Sequence, residues 1–460
     1  MLDPRRVDPA LRAKYDVPGP RYTSYPPANH FGPVDPAAVR ARWSERQGLE
    51  PDPGLALYLH VPFCPRRCPF CGCHSFAGQP AAEVCITLAA IAQELELAAA
   101  AIDARRPVQQ LALGGGSPGA LQPGQLAGLL DAVERHWRFG AGAERSIEID
   151  PRTATAATVD LLLGRGFNRF SLGVQDLEPA VIAPLRPGQD AGLIERLVER
   201  LRAGGCSAIN FDLIYGLPGQ TRASIARTAD RVVALGPSRI AWYSYAHVPW
   251  VRPHQRALEP LGLPDAETKA ALFTTAAERL RAGGYQPVGM DHFARPGDAL
   301  LAARAAGTLR RNFMGYTTGA GLDLVACGPS GISAVGSAYS QNHKGLADYR
   351  EALAAGRLPI ERGFLLSAED AIRRALIMEL FCNFRVDLRA LGRRFGIAPL
   401  EHLADDFERL QPLRADGLVD WDGDAIRVSE QGRFFIRNVC MVFDRYLETD
   451  PRQRVYSRTV

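Results

Sequence analysis

The chain has 460 residues, 47% hydrophobic and 23% charged, and its 54 basic and 50 acidic side chains leave a net charge of +4. This balance excludes a disordered or collagenous chain and gives no sign of a nucleic-acid binder. At ~150 residues per domain the length predicts two or three domains, or one large domain with a satellite.

Only Lys14, Lys269 and Lys344 are lysines and the other basic residues are arginines, so an arginine cluster by itself carries little functional weight. The opening Met-Leu-Asp-Pro-Arg-Arg lacks the apolar segment of a secretory signal. The most apolar stretch, Ile86 to Ile102, is broken by Glu94 and Glu96. A soluble, cytoplasmic protein with no membrane attachment is expected.

Residues 1 to about 50 are rich in Pro, Arg and Tyr and predict an irregular arm ending in a helix over Pro36–Gln47. From Leu55 a theme repeats: a short β-type run, a turn with Gly or Pro, then a helical stretch. The runs are Leu55–Val61, Gln110–Gly114, Ser146–Asp150, Phe170–Gln175, Ala208–Leu213 and Ile240–Ala246. Helices are predicted at Glu83–Arg105, Leu121–Arg138, Ser224–Leu235 and Pro264–Ala282. Such alternation predicts parallel βαβ units, and six of them make an incomplete (β/α) barrel or an open doubly wound sheet.

The pattern within the runs favours the barrel. Tyr58 and His60 oppose Leu57, Leu59 and Val61; Ser146, Glu148 and Asp150 oppose Ile147 and Ile149; Asn210 and Asp212 oppose Phe211 and Leu213. Parallel strands buried on both faces read as continuous apolar runs. One polar face instead fits a polar lumen under a coat of helices, with functional groups at the C-terminal strand ends.

Phe313–Ser340, rich in Gly, Ser and Thr, predicts a loop region near the active site. From Ser367 the texture turns helical: Ala368–Phe384, Asp387–Phe395 and Leu400–Ala415. A hairpin (Gly417–Trp421, Ala425–Val428) and a last helix, Glu430–Tyr446, follow. The expected fold class is α/β: an arm over 1–50, an incomplete (β/α)6 barrel over 51–365, and a smaller, mainly α-helical C-terminal domain over 366–460.

Nine cysteines are present, five of them scattered and four packed into Cys64-Pro-Arg-Arg-Cys68-Pro-Phe-Cys71-Gly-Cys73 directly after the first strand. Thiolates this dense hold zinc or an iron–sulfur cluster. A structural zinc site takes two separated ligand pairs, and no second pair exists. A cluster held by three cysteines keeps one iron open for a substrate or cofactor.

The spacing of these cysteines resembles the radical S-adenosylmethionine (SAM) superfamily. The longer string from Tyr58 through His60 to Cys73 resembles its oxygen-independent coproporphyrinogen III oxidase family. So do Arg21-Tyr-Thr-Ser-Tyr-Pro26, Gly114-Gly-Gly-Ser117-Pro118, Ser146-Ile-Glu-Ile-Asp-Pro151, Gly173-Val-Gln-Asp176 and Asp212-Leu-Ile-Tyr-Gly-Leu-Pro218. Later segments continue it: Tyr245-Ala-His247, Gly289-Met-Asp-His-Phe-Ala294, Arg311-Asn-Phe, Gly315-Tyr-Thr-Thr318, Cys382-Asn-Phe-Arg385 and Arg437-Asn-Val-Cys440.

The resemblance implies that Cys64, Cys68 and Cys71 ligate a [4Fe–4S] cluster and that Tyr58, Gly115 and Glu148 contact a SAM on its open iron. It implies a second SAM near Phe70, Gly116, Ser117, Gln175, Asp212, Ala246 and Ile332. Cys73 is implied to be needed without being a ligand, and Tyr58 and Cys73 are the candidate catalytic residues.

Three departures stand out: Ser117 and Gly119 where the family has Thr, and Pro187 at the SAM-binding arginine's position, with Arg186 one residue early. Pro187 has no charge and no N–H, so the second site is expected to be the weaker. The implied reaction converts two propionates of coproporphyrinogen III to vinyl groups in anaerobic heme biosynthesis. A 5′-deoxyadenosyl radical from SAM takes a β-hydrogen, CO2 leaves, and protoporphyrinogen IX results. Arg21, His292, Arg310 and Arg311 are candidates for the propionates. A one-electron donor such as a flavodoxin or ferredoxin is implied, and a monomer is expected. The rival reading is a heme-binding member of the same superfamily. Cys73, the Tyr-Thr-Ser-Tyr-Pro arm and the C-terminal domain argue against it.

Overall fold

The computed structural model describes residues 8–45, 54–103, 105–447, 456, 458 and 459. Its main body is a 12-stranded sheet. In chain order the strands are β1 Leu55–Val61, β2 Val108–Gly115, β3 Phe139–Ile149, β4 Arg169–Gln175, β5 Ala208–Tyr215, β6 Arg239–Ser244, β7 Gln286–Gly289, β8 His292–Ala294, β9 Asp323–Cys327, β10 Ile332–Val335, β11 Ala338–Asn342 and β12 Ile360–Leu365. Across the sheet they run β12-β11-β10-β9-β1-β2-β3-β4-β5-β6-β8-β7.

Strands β1 to β6 pair in parallel, each with the next, and β9 joins β1 in parallel from the other side. The flanking strands are antiparallel. β6 and β1 do not pair, so the barrel is incomplete, as expected. Leu57, Leu59, Val61, Leu111, Leu113, Ile147, Ile149, Phe170, Leu172, Phe211 and Leu213 form the buried layer under the helices. The alternate side chains face the lumen. The register sets Glu148 beside Ser171, Ser171 beside Asn210, and Gly173 beside Asp212.

The predicted strands are all present, Leu55–Val61 with the bounds expected and the others with shifted ends. β3 begins seven residues early, and β6 stops at Ser244, which leaves Ala246 in the loop beyond it. The helix read as Glu83–Arg105 runs Ala81–Ala101, and that read as Pro36–Gln47 runs Pro36–Ser44; Gln47 lies outside the described residues. Leu400–Ala415 divides into Pro399–His402 and Ala404–Ala415, because Leu403 leaves helical geometry (φ −111°, ψ 25°) while its side chain enters the core.

Phe313–Ser340 corrects the sequence reading. It is not a loop region but carries Gly315–Thr317, β9, β10 and the start of β11. Every residue of β9 is buried. The glycines that obscured the strand serve a close approach: at Gly328 (φ +110°) a Cβ would fall 2.2 Å from the His60 carbonyl oxygen.

The C-terminal helices enclose a separate core that also takes Tyr15, Tyr22 and Tyr25 from the arm. Tyr22 donates to Asp444 (2.9 Å), and Arg437 donates to the Pro20 carbonyl (2.9 Å). The arm is thus held by the C-terminal region through buried hydrogen bonds as well as apolar packing.

Ala81–Ala101 is, by length and composition, apolar enough to cross a membrane. Its buried positions Thr87, Leu88, Ala90, Ile91, Glu94, Leu95 and Ala98 fall along one side, the pattern of a helix laid on a core. Glu94 pins it there, accepting from Gly328 N (2.7 Å), Asn342 Nδ2 (2.6 Å) and the Tyr349 hydroxyl (2.5 Å).

Burial raises the Glu94 carboxyl to about 7 despite these three donors. Between ~pH 4.5 and 7 the folded chain keeps a proton that the unfolded chain has released, so this group's contribution to stability falls as pH rises through that window. Glu94→Gln is expected to flatten that slope, by roughly 2 kcal/mol across the window, in denaturant unfolding at pH 5 and pH 8. An unchanged slope would show that the carboxyl is not the titrating group.

Candidate active site

The chain leaves β1 at the C-terminal end of the barrel and forms a loop closed on itself by Phe63–Cys64 pairing with Phe76–Ala77. Phe76 N donates to the Pro62 carbonyl (2.6 Å) and Gly78 N to the Cys64 carbonyl (3.0 Å). Side chains from distant segments bind the loop's other carbonyls. Gln255 donates to Phe70 O (3.1 Å), His254 to Cys71 O (2.9 Å) and Arg252 to Gly72 O (2.9 Å). Arg67 donates to Ser75 O (2.7 Å). No motif spacing marks residues 252–255, which meet the loop only in the fold.

Cys64, Cys68, Cys71 and Cys73 are all free thiols. Cys68 Sγ accepts from Arg152 (3.5 Å) and Cys71 Sγ from Cys73 N (3.4 Å). Burial pushes the Cys64 thiol up to about 11, and it also raises Cys68 against the nearby charges of Arg186 and Arg152. Hydrogen bonding from Cys73 brings Cys71 down to about 6. Among the described residues no three His, Cys, Asp or Glu converge as on one metal ion. Three free thiols on one loop, with Arg152 and Arg186 beside Cys68, suit the thiolate ligands of an iron–sulfur cluster.

Beside the loop, β1 and β2 pair His60 with Gly114 and Val61 with Gly115. The glycines here form no ordinary turn. A Cβ on Gly115 (φ +101°) would lie 2.4 Å from the His60 ring, and one on Gly116 would lie 2.5 Å from the Phe63 carbonyl oxygen. Burial holds the His60 ring down at about 4, so it is neutral. Its Nε2–H donates to the His74 carbonyl (3.0 Å), and Nδ1 faces the Tyr58 hydroxyl (3.3 Å). Glu148 accepts from Gly115 N (3.2 Å). Burial, and then the charge of Asp212, raise its carboxyl to about 7. Tyr58 is pushed up by burial and by the charges of Glu148 and Cys73. Tyr58, Gly115, Glu148, Cys71 and Cys73 are therefore neighbours.

The residues read for a second SAM are less tightly gathered. Asp212 accepts from Ser171 (2.6 Å) and Asn210 (3.0 Å) inside the lumen. Gln175 has φ +65° at the end of β4. Ser117 is buried, 3.4 Å from the Thr153 hydroxyl. Phe70 packs with Val181, Leu185, Leu217 and Tyr245. Ala246 is exposed, and Ile332, across β9 and β1, packs with Phe31 and Tyr339. At Gly119 a Cβ would press on Ile149 at 3.2 Å, which suits glycine in place of the family's Thr.

The structure also changes the reading of Pro187. Its side chain is exposed, and the buried one is Arg186. Arg186 pairs with Asp150 (2.5 Å) and donates to the Gly173 carbonyl. The helix Pro179–Leu185 ends one residue earlier, with Arg186 as its C-cap outside helical geometry. The guanidinium therefore turns inward and Pro187 outward.

The radical SAM superfamily model matches residues 58–232, and the HemN C-terminal domain model matches residues 366–435. The oxygen-independent coproporphyrinogen III oxidase of Pseudomonas aeruginosa is 40% identical, with all of both chains covered. That of Escherichia coli is 40% identical over 98% of each chain. The solved coproporphyrinogen III oxidase (HemN) from Escherichia coli, described as a radical SAM enzyme, superimposes with a TM-score of 0.89 at 38% identity, covering 95% of this chain and 99% of that one. On this end-to-end similarity, the chain belongs to the oxygen-independent coproporphyrinogen III oxidase family of the radical SAM superfamily.

Proposed function

We infer that the chain catalyses the oxidative decarboxylation of two propionates of coproporphyrinogen III to vinyl groups, giving protoporphyrinogen IX for heme biosynthesis without oxygen. What carries the reading is the three-thiol loop beside Glu148 and Gly115, in a chain of this family. Cys64, Cys68 and Cys71 would hold the [4Fe–4S] cluster. Tyr58, Gly115 and Glu148 would hold the first SAM. Phe70, Gly116, Ser117, Gln175, Asp212, Ala246 and Ile332 would serve a second SAM. Cluster and SAM together supply a hydrogen-abstracting radical under one-electron reduction.

The chain's own residues set the stage for that chemistry. Gly115 and Gly116 let the end of β2 pass close to His60 and Phe63, which holds their backbone beside the cysteine loop. Glu148 is a buried carboxyl able to bind an ammonium or ribose hydroxyls. The neutral His60 ring orients the Tyr58 hydroxyl beside it. Cys73 serves the reaction without ligating the cluster. Residues 366–460 cover the substrate, joined by the arm that packs into their core. The electron comes from a small carrier such as a flavodoxin or ferredoxin, and the chain works as a monomer.

Anaerobic incubation of the reconstituted protein with coproporphyrinogen III, SAM and a reductant tests the activity. Protoporphyrinogen IX is expected, together with a monovinyl intermediate at early times. An intact cluster that cleaves SAM but forms no vinyl group would refute it.

A further inference from the structure

Four basic side chains were candidates for substrate carboxylates, and the structure shows three of them committed. Arg310 lies 3.2 Å from Glu379 and donates to the Leu309 carbonyl (2.9 Å). His292 Nδ1 lies 2.8 Å from one oxygen of Asp291, and Arg21 lies 3.9 Å from the other. Burial pushes Asp291 up, but His292, Arg21 and Arg311 together hold it down at about 2. It stays ionised and already has its partners.

Arg311 differs. Its Nε and Nη1 are buried, and among the described residues neither makes a well-aligned hydrogen bond. The guanidinium lies over the rings of Tyr316 (4.8 Å) and Phe381 (5.6 Å). The Tyr316 hydroxyl is likewise buried, and its polar neighbour is the Arg311 guanidinium itself. The fold keeps room for that hydroxyl at Gly289, where a Cβ would lie 2.4 Å from its oxygen. A guanidinium keeps its charge at any physiological pH; Asp291 and the two rings share that charge, yet two of its buried donors are left without a well-placed acceptor.

The position suits a substrate. The Tyr316 ring meets His292 at 5.1 Å, and His292 meets Tyr243 at 5.6 Å. Tyr243 senses the charges of Asp212, Asp291, Arg311 and Glu148, so it stands between the cofactor end of the lumen and Arg311. Phe381, on the helix Ala368–Asn383, closes the other side.

We propose that Arg311 Nε and Nη1, with the Tyr316 hydroxyl, form a carboxylate-binding site that grips one propionate of the tetrapyrrole substrate. A planar fork of donors matches a carboxylate in two-point contact. This assignment rests on the activity inferred above and adds to it the residue that orients the substrate's acidic edge.

Anaerobic fluorescence titration of the reconstituted protein with coproporphyrin III, the stable oxidised form, tests it. Arg311→Gln is expected to weaken binding ten- to a hundredfold. It is expected to leave binding of the tetramethyl ester, which has no carboxylates, at the wild-type level. Equal coproporphyrin affinity in the wild-type and Arg311→Gln proteins, or an equal loss for the ester, would overturn the site; the latter would mean Arg311 acts only by packing. If Arg311→Gln does not fold, Tyr316→Phe carries the test, with a three- to tenfold loss expected for coproporphyrin alone and no loss overturning the site. Wild-type turnover with an unaffected Arg311→Gln affinity refutes this assignment only. Wild-type protein that neither binds coproporphyrin nor forms vinyl groups refutes the activity as well.

Discussion

Cys64→Ser, Cys68→Ser and Cys71→Ser are each expected to abolish the iron–sulfur absorbance, whereas Cys73→Ser keeps most of the iron and loses vinyl formation. The loop geometry separates the two outcomes. Donors from residues 252–255 bind the backbone around Cys71, and Arg152 reaches Cys68. A hydroxyl in place of any of these thiolates would remove one of the three anchors proposed for the cluster, whose irons take thiolate ligands. Cys73 instead follows Gly72 at an exposed part of the loop, and it meets Cys71 through its backbone N–H as well as its thiol. Serine preserves that N–H. Iron and sulfide analysis beside product chromatography reads the two effects apart. Loss of the cluster in Cys73→Ser as complete as in the other three would make it a fourth ligand and undo the three-thiol assignment.

The loop and the six parallel strands were legible because their signals are local. A strand with one apolar face repeats every two residues, so Leu57, Leu59 and Val61 declare both the strand and its buried side. The three-cysteine spacing likewise lies within one turn of chain. What escaped notice depends on distant partners. β9 is five residues long and is defined by pairing with β1, more than 260 positions away. Its flanking glycines read as loop until the approach of Gly328 to His60 supplies their reason. His254 and Gln255 bind the cysteine loop across more than 180 positions. The arm's tyrosines read as an irregular segment, yet they complete the C-terminal core.

Arg186 shows the limit of aligning by position. Counting residues puts Pro187 at the family's arginine. The chain's geometry puts the guanidinium of Arg186 at the ends of β3 and β4, against Asp150 and the Gly173 carbonyl. Its Nε is buried without a hydrogen-bond partner among the described residues, and its guanidinium, like the Gln175 amide, lies beside Gly173. Pro187→Arg is therefore not expected to tighten a second SAM. An arginine at 187 would point to solvent and leave binding unchanged. Arg186→Gln removes the charge beside Gly173, where a second SAM is proposed; losing one charged hydrogen bond costs ~1.5–3 kcal/mol, roughly one to two powers of ten in affinity. It also leaves Asp150 with Arg152 alone (2.6 Å), so some loss of thermal stability accompanies it. Anaerobic equilibrium dialysis of SAM is expected to show two unequal steps in the parent and in Pro187→Arg, with the weaker step lost or displaced in Arg186→Gln and the tighter one retained. A single step at one equivalent in the parent protein would mean that only the first SAM binds. Equal weakening of both steps in Arg186→Gln would mean that the arginine supports the barrel end as a whole rather than the second site.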